Sequence, residues 1–405
     1  MQKPGKNQED IQGLNRALVL QLLHRLRVCS RAELARRTGL TRAAITGITQ
    51  QLLDCGMVRE TGLLPGGGGR RSIGLTLCQE KYLCIGLRLT RRHIRGGLFD
   101  AGGELYEAQE CRLSPAPQAQ DALARMREII SALLEAAAGR RVLGVGLAAP
   151  GPVLHAEGRI AYMSAFPGWE GVSIPAELEK CFHLPVLLEH DGVCCALAEW
   201  WNRPPQEECR MMVCVLAGQG VGAGILSEGR PVRGALGCAG ELGHMSLNPL
   251  GPRCDCGNRG CLEGYVSSLA LEREMAQALQ KRREHPLFGA SARQILAAVE
   301  QGDPLAREIF EKQAEYLGFG LVNLVNLLNP DCLILSDELA QCAGPLEETV
   351  RRVLKARLSP RIYEGLRLSV RPGSPYQIMQ AASALVLDRF LREPEFGGRA
   401  AFINA

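Results

Sequence analysis

The stretch Glu241–Glu263, ELGHMSLNPLGPRCDCGNRGCLE, carries the densest chemistry of the chain. His244, Cys254, Cys256 and Cys261 offer one imidazole and three thiolates, a complete tetrahedral set for Zn2+. Four protein ligands leave no position for water, so the spacing predicts a structural metal that stiffens a loop rather than one that activates a nucleophile. Gly257 and Gly260 between the cysteines suit a tight metal knuckle; free thiols in a turn are the plainer alternative. A chain of 405 residues, 46% hydrophobic and 22% charged, is long enough for about two or three domains with sizeable cores, not one small stapled scaffold.

Around that loop, from residue 78 onward, short β-type runs (83–89, 142–148, 186–188, 212–216, 333–335) alternate with helical patterns (121–138, 292–299, 304–328). This alternation predicts α/β sheets with helices on their faces, and ligands at the carboxyl ends of the strands. Two groups of carboxylates fall where such a ligand would sit: Glu189-His190-Asp191-Gly192, directly after the run 186–188, and Glu241-Leu242-Gly243-His244. A carboxylate at a strand end can accept a sugar hydroxyl's hydrogen bond or remove its proton, although an Asp after a strand is also ordinary turn chemistry. Gly218-Gln219-Gly220-Val221-Gly222-Ala223-Gly224 reads equally well as a phosphate cradle or as a tight hairpin inside a sheet.

The front of the chain has a different character. Residues 1–76 hold twelve Lys or Arg against five acids, a surplus of seven in a chain whose net charge is only +4, so a basic head precedes an acidic body. Leu14, Leu18, Leu22 and Leu26 recur at helical spacing, with Ala17 and Leu23 widening the stripe. Ser30 and Glu33 form a capping-box pattern for a second helix ending near Arg37, Thr38-Gly39-Leu40 makes a turn, and Thr41 caps a third helix. There Ile45, Ile48 and Leu52 are expected to face inward, with Arg42, Thr46, Thr49 and Gln50 pointing outward as candidate readers of base edges. Arg36, Arg37 and the Thr41 end of the helix would serve phosphates, as would Arg70 and Arg71 in a basic wing between two strands over 59–77. A helical protein-interaction module with a solvated basic loop is the alternative.

Sixteen cysteines dispersed through a long chain whose start lacks the apolar core of a signal peptide read as buried thiols, and no apolar run reaches the length of a membrane span. The expected compartment is the cytoplasm, with association with the nucleoid when bound to DNA.

These segments resemble the ROK family of repressors, open reading frames and kinases. The resemblance rests on Gly68-Gly69-Arg70-Arg71 in the head, Ala149-Pro150-Gly151-Pro152, the segment 169–199, the glycine turn, Ala239-Gly240-Glu241-Leu242-Gly243-His244, and the Cys-x-Cys-Gly-x-x-Gly-Cys-x-Glu motif ending at Glu263. It implies an actin-like α/β fold of two subdomains behind a winged helix-turn-helix. The expected divisions are 1–77 for the DNA-binding head, 78–192 and 193–390 for the subdomains, and 391–405 for a tail. It also implies His244, Cys254, Cys256 and Cys261 as zinc ligands, a hexose held by His190, Asp191, Glu241, His244 and Glu263, and a homodimer or homotetramer.

Three departures separate this chain from the family's kinases. Their Asp-x-Gly-x-Thr phosphate loop is replaced by Gly86-Leu87-Arg88-Leu89-Thr90-Arg91-Arg92, with Arg88 aligned to the acid; their late Gly-Gly pair is Ser336-Asp337; and the usual Asn before Asp191 is His190. ATP loses its loop, and Asp191 is left as a vestigial base serving as a sugar acceptor. The expected function is a sugar- or sugar-phosphate-controlled repressor that binds operator DNA and performs no phosphorylation. A sugar kinase with a regulatory head and a ligand-independent DNA-binding protein are the rivals.

Overall fold

The computed structural model describes residues 8–64, 72–114, 117–161, 163, 166–203, 207–374 and 376–392. Behind the head lie two lobes, each built on a five-stranded sheet, and the two sheets repeat one pattern. In the first, Tyr82–Leu89, His93–Asp100 and Leu105–Arg112 run antiparallel as consecutive hairpins; Arg141–Ala149 then pairs parallel with Tyr82–Leu89, and Val186–His190 parallel with Arg141–Ala149. In the second, Met211–Ala217, Val221–Ser227 and Arg230–Pro231 form the hairpins, and Cys332–Ser336 and Arg367–Val370 add the parallel strands. The inner parallel strands Arg141–Ala149 and Cys332–Ser336 are near-continuous buried runs because helices cover their faces. Helix Ala119–Ala136 packs its buried Leu123, Met126, Ile130 and Leu133 against the first sheet, and helices Pro304–Leu328 and Ala343–Arg357 share the apolar core of the second.

The chain crosses between the lobes more than once. Helix Asp191–Asn202 leaves the first sheet and packs on the hairpin of the second; a Cβ on Gly224 would collide with the Gly192 carbonyl, so two glycines allow this approach. After Arg367–Val370 the chain returns, and helix Gln377–Arg392 lies across strands Tyr82–Leu89 and Arg141–Ala149 of the first lobe. It docks over the register pair Gly86 and Gly146, where a Cβ would strike the carbonyls of Met379 and Ala382. Residues 377–392, expected within the division 193–390, thus pack on the first lobe's strands, while Ile378, Ala381 and Ala382 also join an apolar cluster with Met212, Cys214, Cys332 and Ile334 of the second.

In the head, helices Gln8–Leu26, Arg31–Thr38 and Arg42–Asp54 precede an antiparallel hairpin of Val58–Leu64 and Ser72–Leu77, to which Cys29–Ser30 adds a third short strand. Ser30 and Thr41 cap their helices as expected, accepting from the Glu33 and Ala44 amides, and Gly39 ends the second helix at φ +72°. Two expectations fail here. The buried stripe of the first helix is Ala17, Val19, Leu20 and Leu23; Ala17 and Leu23 were expected there, and Leu22 and Leu26 pack partly buried against the same core, but Leu14 and Leu18 are exposed. Thr49 is fully buried rather than outward, because it lies one turn from Ile45 and Leu52 on the inner side of its helix.

The head's core does not stop at residue 77. Leu20, Leu23, Leu34, Ile45, Leu52 and Leu75 form one apolar cluster with Cys84, Leu143, Leu387 and Leu391 of the body. Among the described residues, no helix is long and apolar enough to cross a membrane.

Candidate functional site

The carboxyl ends of the parallel strands of both sheets face one another across a cleft of about 660 Å³. His190, Asp191, Glu241, His244 and Glu263, the five residues expected around a sugar, all line it, together with Pro150, Gly151, Gly220 and Gly222. His190 is buried with its Nε2 3.7 Å from Asp191 Oδ1, and its Nδ1 has no hydrogen-bond partner among the described residues. A Cβ on Gly151 would collide with Glu241 Oε1 and press on the His190 ring, so this glycine makes room for both side chains. Burial pushes the Asp191 carboxyl above its ordinary value, although His190 and Arg88 pull it down; burial likewise raises Glu241.

The glycine turn is a hairpin tip that also lines the cleft. Ala217 and Val221 face each other in an antiparallel hairpin whose tip is Gly218-Gln219-Gly220. Its backbone is held by an arginine: Arg91 donates to the Gln219 carbonyl at 2.8 Å. That arginine belongs to a set the sequence reading did not place. Arg91 also pairs with Glu263 at 2.8 Å, whose other oxygen accepts from the Val221 amide at 3.0 Å, and Arg92 pairs with Glu272 at 3.0 Å. Arg88, on the strand upstream, donates to both oxygens of Asp337 at 2.7 and 3.4 Å and stands 3.8 Å from Asp191. All three arginines come from the first lobe, and Glu263, Glu272 and Asp337 from the second. Burial alone would lower the Arg88 pKa, but Asp337 and Asp191 raise it overall, so it stays charged. Asp337 has φ +78° and ψ −154°, a region costing a non-glycine residue about 1–3 kcal/mol. The clue in the sequence was the spacing Arg88-x-x-Arg91-Arg92 at a strand end, but its acidic partners lie far along the chain.

On the second lobe's wall, His244 Nδ1, Cys254 Sγ, Cys256 Sγ and Cys261 Sγ lie within 4.8 Å of one another, a cluster that could hold a metal ion. The His244–Cys254 and Cys256–Cys261 separations are both 3.7 Å. Ligand atoms about 2.3 Å from the centre of a tetrahedron are about 3.8 Å apart, so the residues fit such an ion. Gly257 and Gly260, at φ +90° and +64°, shape the knuckle. The other ring nitrogen of His244 faces Glu241 at 3.9 Å, so one histidine touches both the cluster and the cleft.

On the head, Arg42, Thr46 and Gln50 occupy one exposed face of helix Arg42–Asp54, beside Ala43 and Gly47, and the capping Thr41 is exposed at its start. Thr49 is not among them: its hydroxyl accepts from Arg31 at 3.1 Å and donates to the Thr46 carbonyl. Arg36 and Arg37 both clasp Glu33, which they hold below the usual carboxylate range, the Arg37 hydrogen bond contributing most. Arg70 and Arg71, with the rest of 65–71, lie outside the described residues, as does 393–405 of the expected tail.

Two α/β lobes with duplicated sheets, closing on a polar cleft beside a His/Cys cluster, define the class of actin-like sugar kinases and the regulators built on the same body. The chain belongs to the ROK family, whose sequence profile matches residues 84–371. It is 30% identical over 346 residues to the DNA-binding transcriptional dual regulator NagC of Escherichia coli K12, covering 83% of each chain. It is 25% identical over 391 residues to the xylose repressor of Caldicellulosiruptor bescii, covering 95% of this chain and 98% of the repressor. Among solved structures, a ROK family transcriptional regulator homologous to the E. coli MLC protein superposes with a TM-score of 0.78 at 27% identity, covering 95% of this chain and 97% of its own. A ROK family glucokinase from Streptomyces griseus, in complex with glucose and AMPPNP, gives 0.65 at 25% identity and covers 75% of this chain and 98% of its own.

Proposed function

We propose that this chain is a DNA-binding transcriptional regulator, acting as a repressor of sugar-metabolism genes, whose cleft takes a sugar or sugar phosphate without phosphorylating it. The observation that carries the reading is mechanical. Helix Gln377–Arg392 lines the cleft with Gln377 and Ile378 and buries Leu387 and Leu391 in the core of the head. A change in the cleft therefore reaches the helix that presents Arg42, Thr46 and Gln50.

In this reading the head is a winged helix-turn-helix: Arg42–Asp54 enters the major groove, Arg36, Arg37 and the Thr41 end contact phosphates, and the hairpin carrying Arg70 and Arg71 is the wing. A dimer, or a tetramer of two dimers, presents two heads to two half-sites. His190, Asp191, Glu241, His244 and Glu263 receive sugar hydroxyls, with Asp191 serving as acceptor rather than base. Its proton-abstracting role is vestigial without ATP, since Arg88 and Asp337 occupy the positions where the family's kinases offer an acid and a glycine to ATP and its magnesium. The metal held by His244, Cys254, Cys256 and Cys261 is zinc in a closed structural site; it supplies rigidity to the loop that carries Glu241 and Glu263 and no chemistry on the ligand. Moving a population from mostly bound to mostly released requires about 10⁴-fold preference of the ligand for one state, or about 5.5 kcal/mol.

The test pairs two assays on purified full-length protein. Binding to duplex DNA from its own upstream region should be altered by one member of a panel of sugars and sugar phosphates, and a coupled assay with ATP should show no turnover on the same panel. Turnover abolished by Asp191→Asn, with no DNA binding, would establish the kinase instead.

A further inference from the structure

We infer that Arg88 is the positioning residue of the cleft: forked onto Asp337 across the gap between the lobes, it holds them together in the absence of ligand, with Asp191 beside it. The inference concerns the ligand-free chain and does not depend on which ligand the cleft takes or on what the head binds.

Four observations converge on this pair. Arg88 is buried at the end of a central strand of the first lobe, and Asp337 follows a central strand of the second, so the fork joins the two sheets directly. Asp337 presents its carboxylate from a backbone conformation that glycine adopts freely and other residues avoid, so the local fold accepts strain where an uncharged glycine would have avoided it. Gly218 has no side chain where a Cβ would stand 2.6 Å from Asp337 Oδ2, which leaves the carboxylate its place. The pair is also flanked by Arg91–Glu263 and Arg92–Glu272, both crossing between the same lobes in the same direction. Of the three, Arg88–Asp337 is the most shielded, with side-chain exposures of 9% and 16%. Screening by salt and competition from water are therefore weakest there.

A guanidinium in this position also acts on Asp191. At 3.8 Å it pulls the Asp191 carboxyl down, as the neighbouring His190 does more strongly, against the burial that raises it. The two effects are coupled: removing Asp337 frees the lobes and leaves Arg88 with Asp191 as its remaining carboxylate.

The experiment measures the distance between the lobes. Spectroscopic labels are attached through genetically encoded non-natural side chains at exposed Ala124 in the first lobe and Lys355 in the second, since sixteen cysteines preclude thiol chemistry. The ligand-free protein should give one narrow distance distribution. Asp337→Gly, which removes the carboxylate while relieving the backbone, should lose the narrow peak and shift to longer mean distance with little loss of thermal stability. Arg88→Met should open the lobes in the same way but lower the melting temperature, because it strands two carboxylates. A pair that only fills local space would lower stability without moving the lobes. The proposal is overturned if Asp337→Gly folds and its distribution superimposes on that of the parent; should Arg88→Met fail to fold, the glycine variant still decides.

Discussion

The arginines of the head and those of the cleft are the same side chain put to opposite uses. In the head, Arg42 stands exposed on a helix face, and Arg36 and Arg37 share one exposed partner on their own helix. In the cleft, Arg88, Arg91 and Arg92 each meet a carboxylate from the opposite lobe, and Arg88 is buried doing so. The first set can exchange a weak local partner for a phosphate; the second is neutralised from within, so an incoming anion must first break an ion pair. Burial and partner, not residue type, decide whether a basic cluster is a docking surface or an internal fastening.

The comparison can be broken most severely at Arg88. Arg88→Met should destabilise the protein by about 3–5 kcal/mol, because a buried pair that loses one member leaves uncompensated charge, and chemical denaturation measures it. Arg36→Ala, at the exposed site, should leave the denaturation midpoint in place.

Next in size is the proposed base-reading helix. Arg42→Ala should weaken operator binding by about 1–3 kcal/mol while leaving random DNA little affected, whereas Arg36→Ala should weaken both and lower the salt slope by about one. Equal losses on operator and random sequence would remove Arg42 from the reading face.

Thr49→Val sharpens the inward-facing side of the same helix. Its hydroxyl bonds Arg31 rather than DNA, so the variant should lose about 1 kcal/mol of stability and keep its sequence preference. Chelation should separate the two regions further: removing the metal is expected to weaken ligand binding in the cleft through His244 while leaving the operator affinity of the ligand-free protein unchanged, as read by calorimetry and gel shift.

The smallest effect concerns Glu33. Glu33→Gln should raise affinity for any duplex modestly, by releasing Arg36 and Arg37 from their common partner; an unchanged or reduced affinity would show that the clasp orients them for phosphate instead.

Local signals were legible in the sequence. The caps at Ser30 and Thr41, the five strands Tyr82–Leu89, Arg141–Ala149, Val186–His190, Met211–Ala217 and Cys332–Ser336, the full extent of helix Pro304–Leu328 and the spacing of His244 with Cys254, Cys256 and Cys261 are set by neighbours within a few turns of chain, whereas His93–Asp100, Leu105–Arg112, Val221–Ser227, Arg230–Pro231 and Arg367–Val370 were not legible there as strands. The first helix misled because Leu14 and Leu18 continue the helical period of Leu22 and Leu26 onto a face the fold leaves exposed, and only the packing of Val19 and Leu20 in the core shared with the body reveals the rest of the inner side. The return of residues 377–392 to the first lobe was invisible for the same reason: Gly86 and Gly146 do not announce which helix will press on them. In the cleft, motif resemblance named five residues that the fold brings to its walls, His190, Asp191, Glu241, His244 and Glu263, yet the partners of Arg88, Arg91 and Arg92 lie 249, 172 and 180 positions away. No periodicity connects residues at such separations.

The carboxyl-terminal helix has a length as well as a location. Sixteen residues extend about 24 Å at 1.5 Å per residue. A tilt of about ten degrees about its cleft end would sweep the opposite end through about 4 Å, more than half a helical turn. In the proposed mechanism it would serve as a lever arm, turning a small tilt near Gln377 into a displacement large enough to put the head's third helix out of step with a duplex.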